Sequence, residues 1–126
     1  MTGLTYDTGA LLAAESGDRR MWALHRRALE RGHVPTVPAG VLGQAWRGGP
    51  APVLSRLLVG SQVHPLDEVG ARAAGELLAR ARAADVIDAS VAVGALARAD
   101  AVVTSDPADL RRLAASVGRL IELITL

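Results

Sequence analysis

The chain contains no cysteine, no phenylalanine and no lysine. Without cysteine there are no disulfides, thiolate nucleophiles or Cys-based zinc sites, which agrees with a reducing compartment and leaves chemistry to carboxylates, hydroxyls and histidine. With one tyrosine, Tyr6, and two tryptophans, Trp22 and Trp46, the apolar half of the 126 residues is mostly Ala, Leu and Val. That composition suits layered helices and buried strands better than an aromatic-rich β-sandwich. No apolar run reaches the ~20 residues needed to cross a bilayer. Met1 leads almost directly into a strand-like segment, so a cytoplasmic protein without membrane contact is expected. Neither the Gly-rich dinucleotide pattern, nor the Walker pattern, nor a serine nucleophile elbow occurs, which argues against nucleotide-dependent chemistry and serine hydrolysis. A receiver-like phosphotransfer domain would need a lysine beside its phosphoacceptor aspartate, and there is none.

All 14 basic residues are arginine, and the net charge is only +1. There is no global basic field, so any RNA contact must be local. The arginine bias suits phosphate recognition, but it also follows from GC-rich coding, to which the abundant Ala and Gly point. The length fits one domain, residues 1–126.

Along the chain, a short strand at Leu4 to Tyr6 ends in Asp7, and an apolar helix covers Ala10 to Ala14. Asp18 caps a helix in which Met21, Trp22, Leu24, His25, Ala28 and Leu29 recur at helical spacing until Gly32. His33 to Val37 reads as a second strand, and Pro38 fits the first turn of a helix running to about Arg47. Then come a helix at Pro52 to Val59, a weak strand at Gln62 to Pro65, and a long helix capped by Asp67 and continuing to about Ala83. Asp85 to Asp88 open a helix that runs from Ala89 to Arg98. Ala101 to Thr104 is an apolar strand ending at Ser105-Asp106, Pro107 starts a helix, and Leu120 to Ile124 is the last strand. This alternation predicts an α/β domain with a largely parallel sheet, whose ligands gather beyond the carboxyl ends of the strands.

Two strands end in an acid, Asp7 and Asp106, and in a parallel sheet those ends share one edge. Asp88, at the start of the helix that feeds the Asp106 strand, can reach the same edge. Each alone could be a turn or N-cap residue. Converging, they would repel one another unless a cation sat among them, and hard ions such as Mg²⁺ or Mn²⁺ suit oxygen-only donors. Such a site can activate water and neutralise a phosphodiester, so the chemistry expected is hydrolysis at phosphorus.

These segments also carry a resemblance. Leu4-Thr5-Tyr6-Asp7-Thr8-Gly9-Ala10-Leu11 resembles the opening motif of PIN domains, Asp85-Val86-Ile87-Asp88-Ala89-Ser90-Val91-Ala92 their central acidic motif, and Val102 to Leu110 their last. The motifs lie in the family's order and span essentially the whole chain. The resemblance is to PIN-domain ribonucleases of the VapC toxin type. It implies a three-layer α/β/α sandwich, Mg²⁺- or Mn²⁺-dependent cleavage of single-stranded regions of tRNA or rRNA, a homodimer, and a small antitoxin that blocks the site. It implies that Asp7, Asp88 and Asp106 are metal ligands, with Asp85 and Asp109 as outer contributors. Thr104 or Ser105 would orient a ligand or water, and Thr8, Ser105 and Arg47 are candidate RNA contacts.

The chain departs from the family where PIN domains usually carry a glutamate in the helix after the second strand. Gln44 occupies that position. Its carboxamide oxygen can still ligate a cation, but it cannot act as a base. Glu15, in the neighbouring helix, would compensate if it reached the site; otherwise it is a solvated surface residue. The alternative function is therefore a catalytically degenerate PIN protein that binds RNA or protein. His25, His33 and His64 lack zinc spacing. Arg19, Arg20, Arg26, Arg27 and Arg31 crowd one helix, as a solvated face or an RNA- or antitoxin-binding one. Trp22 and Trp46 are candidate base-stacking residues that a core or dimer interface would use equally well.

Overall fold

A computed structural model describes residues 2–126. Five short strands form one sheet: β1 (Leu4–Tyr6), β2 (Thr36–Pro38), β3 (Gln62–His64), β4 (Ala101–Thr104) and β5 (Leu123–Thr125). The order across the sheet is β3-β2-β1-β4-β5, and every neighbouring pair is parallel. Parallel strands require long crossovers, which seven helices supply: α1 (Thr8–Glu15), α2 (Arg19–Glu30), α3 (Ala39–Ala45), α4 (Pro52–Val59), α5 (Glu68–Ala81), α6 (Val86–Arg98) and α7 (Pro107–Ala115). One helical group has α1 against α2, α3 and α4, and the other packs α5, α6 and α7 on one another. The result is a three-layer α/β/α sandwich, with the parallel sheet that the alternation predicts and the layering that the resemblance implies.

The central strands explain the composition. All four residues of β4 are buried, as are all three of β2. Strands covered on both faces need continuous rather than alternating apolar character. Tyr6, Leu11, Met21, Val37, Leu54, Leu57, Val102, Val103 and Leu113 form the heart of the core. Each such side chain stabilises the fold by about 1.5–3 kcal/mol when fully buried. By contrast, β3 is exposed along its length and forms one edge of the sheet.

Several boundaries differ from the sequence reading, each for a physical reason. The first helix begins at Thr8, not Ala10, because Asp7 itself is the N-cap and accepts from the Ala10 N–H at 2.9 Å. The second strand is shorter than His33 to Val37 and ends on Pro38, which pairs with His64 in register. Pro38 thus precedes α3 instead of lying in its first turn, its φ of −59° being compatible with either place. The last strand starts three residues later than expected, at Leu123; Leu120 is almost fully exposed and lies outside the sheet.

Not every aspartate reaches the carboxyl edge of the sheet. Asp100 precedes β4 at the other end, where Arg98 Nε meets its Oδ2 at 3.0 Å and the Thr5 hydroxyl donates to the same oxygen at 2.8 Å. Arg98 also donates to Thr5 Oγ1 at 3.0 Å, which closes a part-buried ring. There a carboxylate is neutralised by a guanidinium. At the opposite edge the carboxylates have no such partner in proportion to their number.

Candidate functional site

Three helix N-termini meet at the carboxyl ends of β1 and β4. Asp7 follows β1 and caps α1; Asp85 caps α6, accepting from the N–H groups of Ile87 and Asp88 at 2.9 and 3.0 Å. Asp88 lies in the first turn of α6. Asp106 occupies the N-cap position of α7, but its side chain makes no capping bond, and Asp109 lies in the first turn of that helix. Helix N-termini carry partial positive charge, which offsets part of the repulsion among five carboxylates.

Asp7 is the most enclosed of the five, at 9% exposure. Burial pushes its carboxyl above the usual range, opposed by hydrogen bonds from Thr104, Ala10 and Gly9, while Asp106 adds like-charge repulsion. Thr104 is fully buried, and its hydroxyl oxygen also accepts from the Asp106 N–H at 3.0 Å. One hydroxyl therefore ties Asp7 to the turn that carries Asp106. Asp88 is pushed up to about 6, first by burial and then by Asp85, Asp109, Asp7 and Asp106 in that order. All four other acids thus act on Asp88, which brings together the sequence-predicted set Asp7, Asp85, Asp88, Asp106 and Asp109.

Gln44 joins them through α1: the Thr8 hydroxyl donates to its Oε1. This places the carboxamide beside the residue that follows Asp7. Gly9 lets the chain close up here, because a Cβ on it would collide with the Ser105 side chain. Ser105 itself is exposed at the same edge.

Other sequence candidates lie elsewhere. Glu15 is exposed at the far end of α1, roughly 12 Å along the helix axis from Asp7, and does not compensate for Gln44. Arg47 is folded onto its own helix end, its Nη1 donating to the carbonyls of Trp46 at 2.9 Å and Gly43 at 3.4 Å. Trp22 is anchored by its indole N–H on the Ala14 carbonyl at 2.9 Å, with Arg56 over its ring at 4.4 Å and His25 edge-on at 5.8 Å. Trp46 is 37% exposed just beyond α3. His25 is buried and bonded through Nδ1 to the Tyr6 hydroxyl at 2.9 Å, and burial lowers its pKa. His33 is half-buried ahead of β2, and His64 is exposed at the end of the edge strand β3.

The donor set at the acidic edge is oxygen only, which suits a hard divalent ion and not zinc. No three His, Asp or Glu side chains among the described residues are drawn in tightly enough to grip one ion as they stand. Their mutual repulsion is nonetheless what a cation would relieve. No helix among the described residues is long and apolar enough to cross a membrane.

The sequence matches no family model and no curated protein. Solved structures do match in fold. A chain of the VapBC2 assembly of Rickettsia felis, solved bound to a DNA fragment from its promoter, superposes with a TM-score of 0.70 at 13% identity, covering 98% of both chains. A chain of FitAB, solved bound to the IR36 DNA fragment, gives 0.68 at 14% identity over 97% of this chain and 94% of that one. PAE2754 from Pyrobaculum aerophilum gives 0.62 at 18% identity over 96% and 90%.

Proposed function

We propose that this chain, which has the PIN-like α/β/α fold, is a divalent-metal-dependent endoribonuclease and the toxin of a toxin–antitoxin pair. The observation that carries the reading is the gathering of five carboxylates at the carboxyl edge of a parallel sheet, where Asp88 is pushed up to about 6 by burial and four like charges. A structural role would not require so many acids in mutual repulsion. The whole-chain likeness to VapBC2 and FitAB supports the toxin assignment and an antitoxin partner. The resemblance of the three motifs supports RNA as substrate, tRNA or rRNA, and a homodimeric cytoplasmic protein.

Asp7, Asp88 and Asp106 would hold Mg²⁺ or Mn²⁺, with Asp85 and Asp109 as outer contributors. When bound, the ion supplies charge neutralisation at the scissile phosphate and a more acidic water. The chain's own part is positional. Asp7 is immobilised by the Ala10 N–H and the Thr104 hydroxyl, and Thr104 fixes the Asp106 backbone. Gln44 contributes a neutral oxygen oriented by Thr8. It lowers the negative charge facing a phosphate by one relative to glutamate, at the expense of weaker attraction for a cation. A catalytically degenerate, RNA- or protein-binding role rests on that residue alone.

The test is incubation of a mixed tRNA and rRNA pool with purified protein and Mn²⁺ or Mg²⁺, with EDTA and Asp106→Asn as controls. Discrete fragments that disappear in both controls are expected. Absence of cleavage by folded protein, restored by Gln44→Glu, would favour the binding role.

A further inference from the structure

Beside the acidic edge lies a small cleft of about 80 Å³ whose walls include Asp85, Asp88, Asp109 and one cation, Arg112. That volume is on the scale of a few waters or one phosphate group. Arg112 is on α7, about one and a half turns from its start, and i,i+3 spacing makes Asp109 and Arg112 neighbours on the helix surface. Leu110, Leu113 and Ala114 bury the other side. The guanidinium touches Asp109 through a single Nη2 to Oδ1 contact of 3.4 Å, with side chains 61% and 50% exposed. A solvated pair of that length stabilises very little.

We infer that Arg112 is a substrate-contact residue, binding a phosphate of the RNA strand next to the scissile one; this rests on the ribonuclease reading of the acidic edge. Five carboxylates repel a polyanion, and one or two divalent ions offset only the charges immediately around them. A strand crossing this edge needs a cation from the protein just outside the ion's reach. Arg112 supplies it with a planar fork whose remaining donors match phosphate oxygens. Arg47, the arginine the sequence favours for this task, is bonded to the carbonyls of its own helix end. Arg98 is consumed by Asp100 and Thr5.

The experiment uses the full chain and a labelled single-stranded RNA decamer with Mn²⁺, measuring binding in an Asp106→Asn background and KM and kcat in the otherwise wild-type enzyme. Arg112→Ala is expected to weaken binding about tenfold and to raise KM more than it lowers kcat. It should also reduce the slope of log affinity against log salt by about one. Arg112→Lys should recover part of the affinity by restoring charge without the fork. Arg72→Ala, which removes an exposed pair with Glu68 at 2.8 Å on α5, should leave all three readouts at the parent value. RNA binding and KM unchanged in Arg112→Ala would overturn the assignment while the nuclease stands. A folded parent that neither binds nor cuts the decamer or the RNA pool would overturn the ribonuclease reading, and this inference with it.

Discussion

Replacing Asp88 by asparagine should make the protein more stable. Moving a carboxyl from 3.8 to about 6 corresponds to about 3 kcal/mol of differential interaction. Asp88 is only part-buried, and solvent screening reduces that to about 1–2 kcal/mol. The asparagine also gives up the favourable placement of a negative charge in the first turn of α6, about 0.5 kcal/mol. A net gain near 1 kcal/mol at pH 8 remains, or about 4 °C in Tm for a chain of this size. The sign follows from linkage. With its folded-state pKa raised, Asp88 contributes stability that is fully present below 3.8 and lost as pH rises through about 6. The advantage of the variant should therefore open between pH 4 and 6 and stay constant above. Urea unfolding of both proteins in EDTA at pH 4, 6 and 8 reads it. A variant no more stable than wild type at pH 8 would refute the claim that these carboxylates strain the edge they share. Adding Mn²⁺ should reverse the order, since an ion bound only by the folded wild type stabilises it by about 2.7 kcal/mol at one hundred times its Kd.

Three further outcomes follow from named contacts. Thr104→Val deprives Asp7 of a hydrogen bond and leaves the Asp106 N–H without its acceptor, so stability should fall by about 1–2 kcal/mol. Cleavage should slow about tenfold, read by urea unfolding and single-turnover rates. Gln44→Glu should tighten Mn²⁺ binding, and unchanged affinity by calorimetry would remove Gln44 from the site. His25 is buried as the neutral ring, so its own contribution to stability should decline as pH falls below 6.5 and level off beneath its lowered folded-state pKa. A His25→Gln variant, less stable at pH 8 for want of the aromatic packing, should lack that decline when its urea midpoint is followed from pH 8 to 5.

Much of the fold is legible because its signals are local. Buried parallel strands read as short apolar runs, and Asp18, Asp67 and Asp85 all accept from the backbone N–H groups of the helices they precede. That Asp7 and Asp106 share one edge of the sheet is legible from parallel strands, but their proximity needs β1 beside β4, and that of Asp88 needs the packing of α6. What was not legible depends on tertiary pairing. Pro38 belongs to β2 because β3 pairs with it, and β5 begins at Leu123 because Val102 takes that register. The Tyr6–His25 bond joins side chains from β1 and α2, and only the apolar spacing around His25 hinted at burial. Arg112 looked like one of many arginines; its i,i+3 relation to Asp109 was the available signal. Asp7 shows that an N-cap residue can also belong to the acidic group, since one of its oxygens accepts from the Ala10 N–H while its charge acts on Asp88.

Calorimetric titration of the folded chain with Mn²⁺ at pH 7.5 would show whether these carboxylates assemble to hold a cation. One or two saturable ions per chain, lost in Asp7→Asn and in Asp106→Asn, are predicted. No saturable binding by the wild type, or the same binding in both variants, would contradict that role.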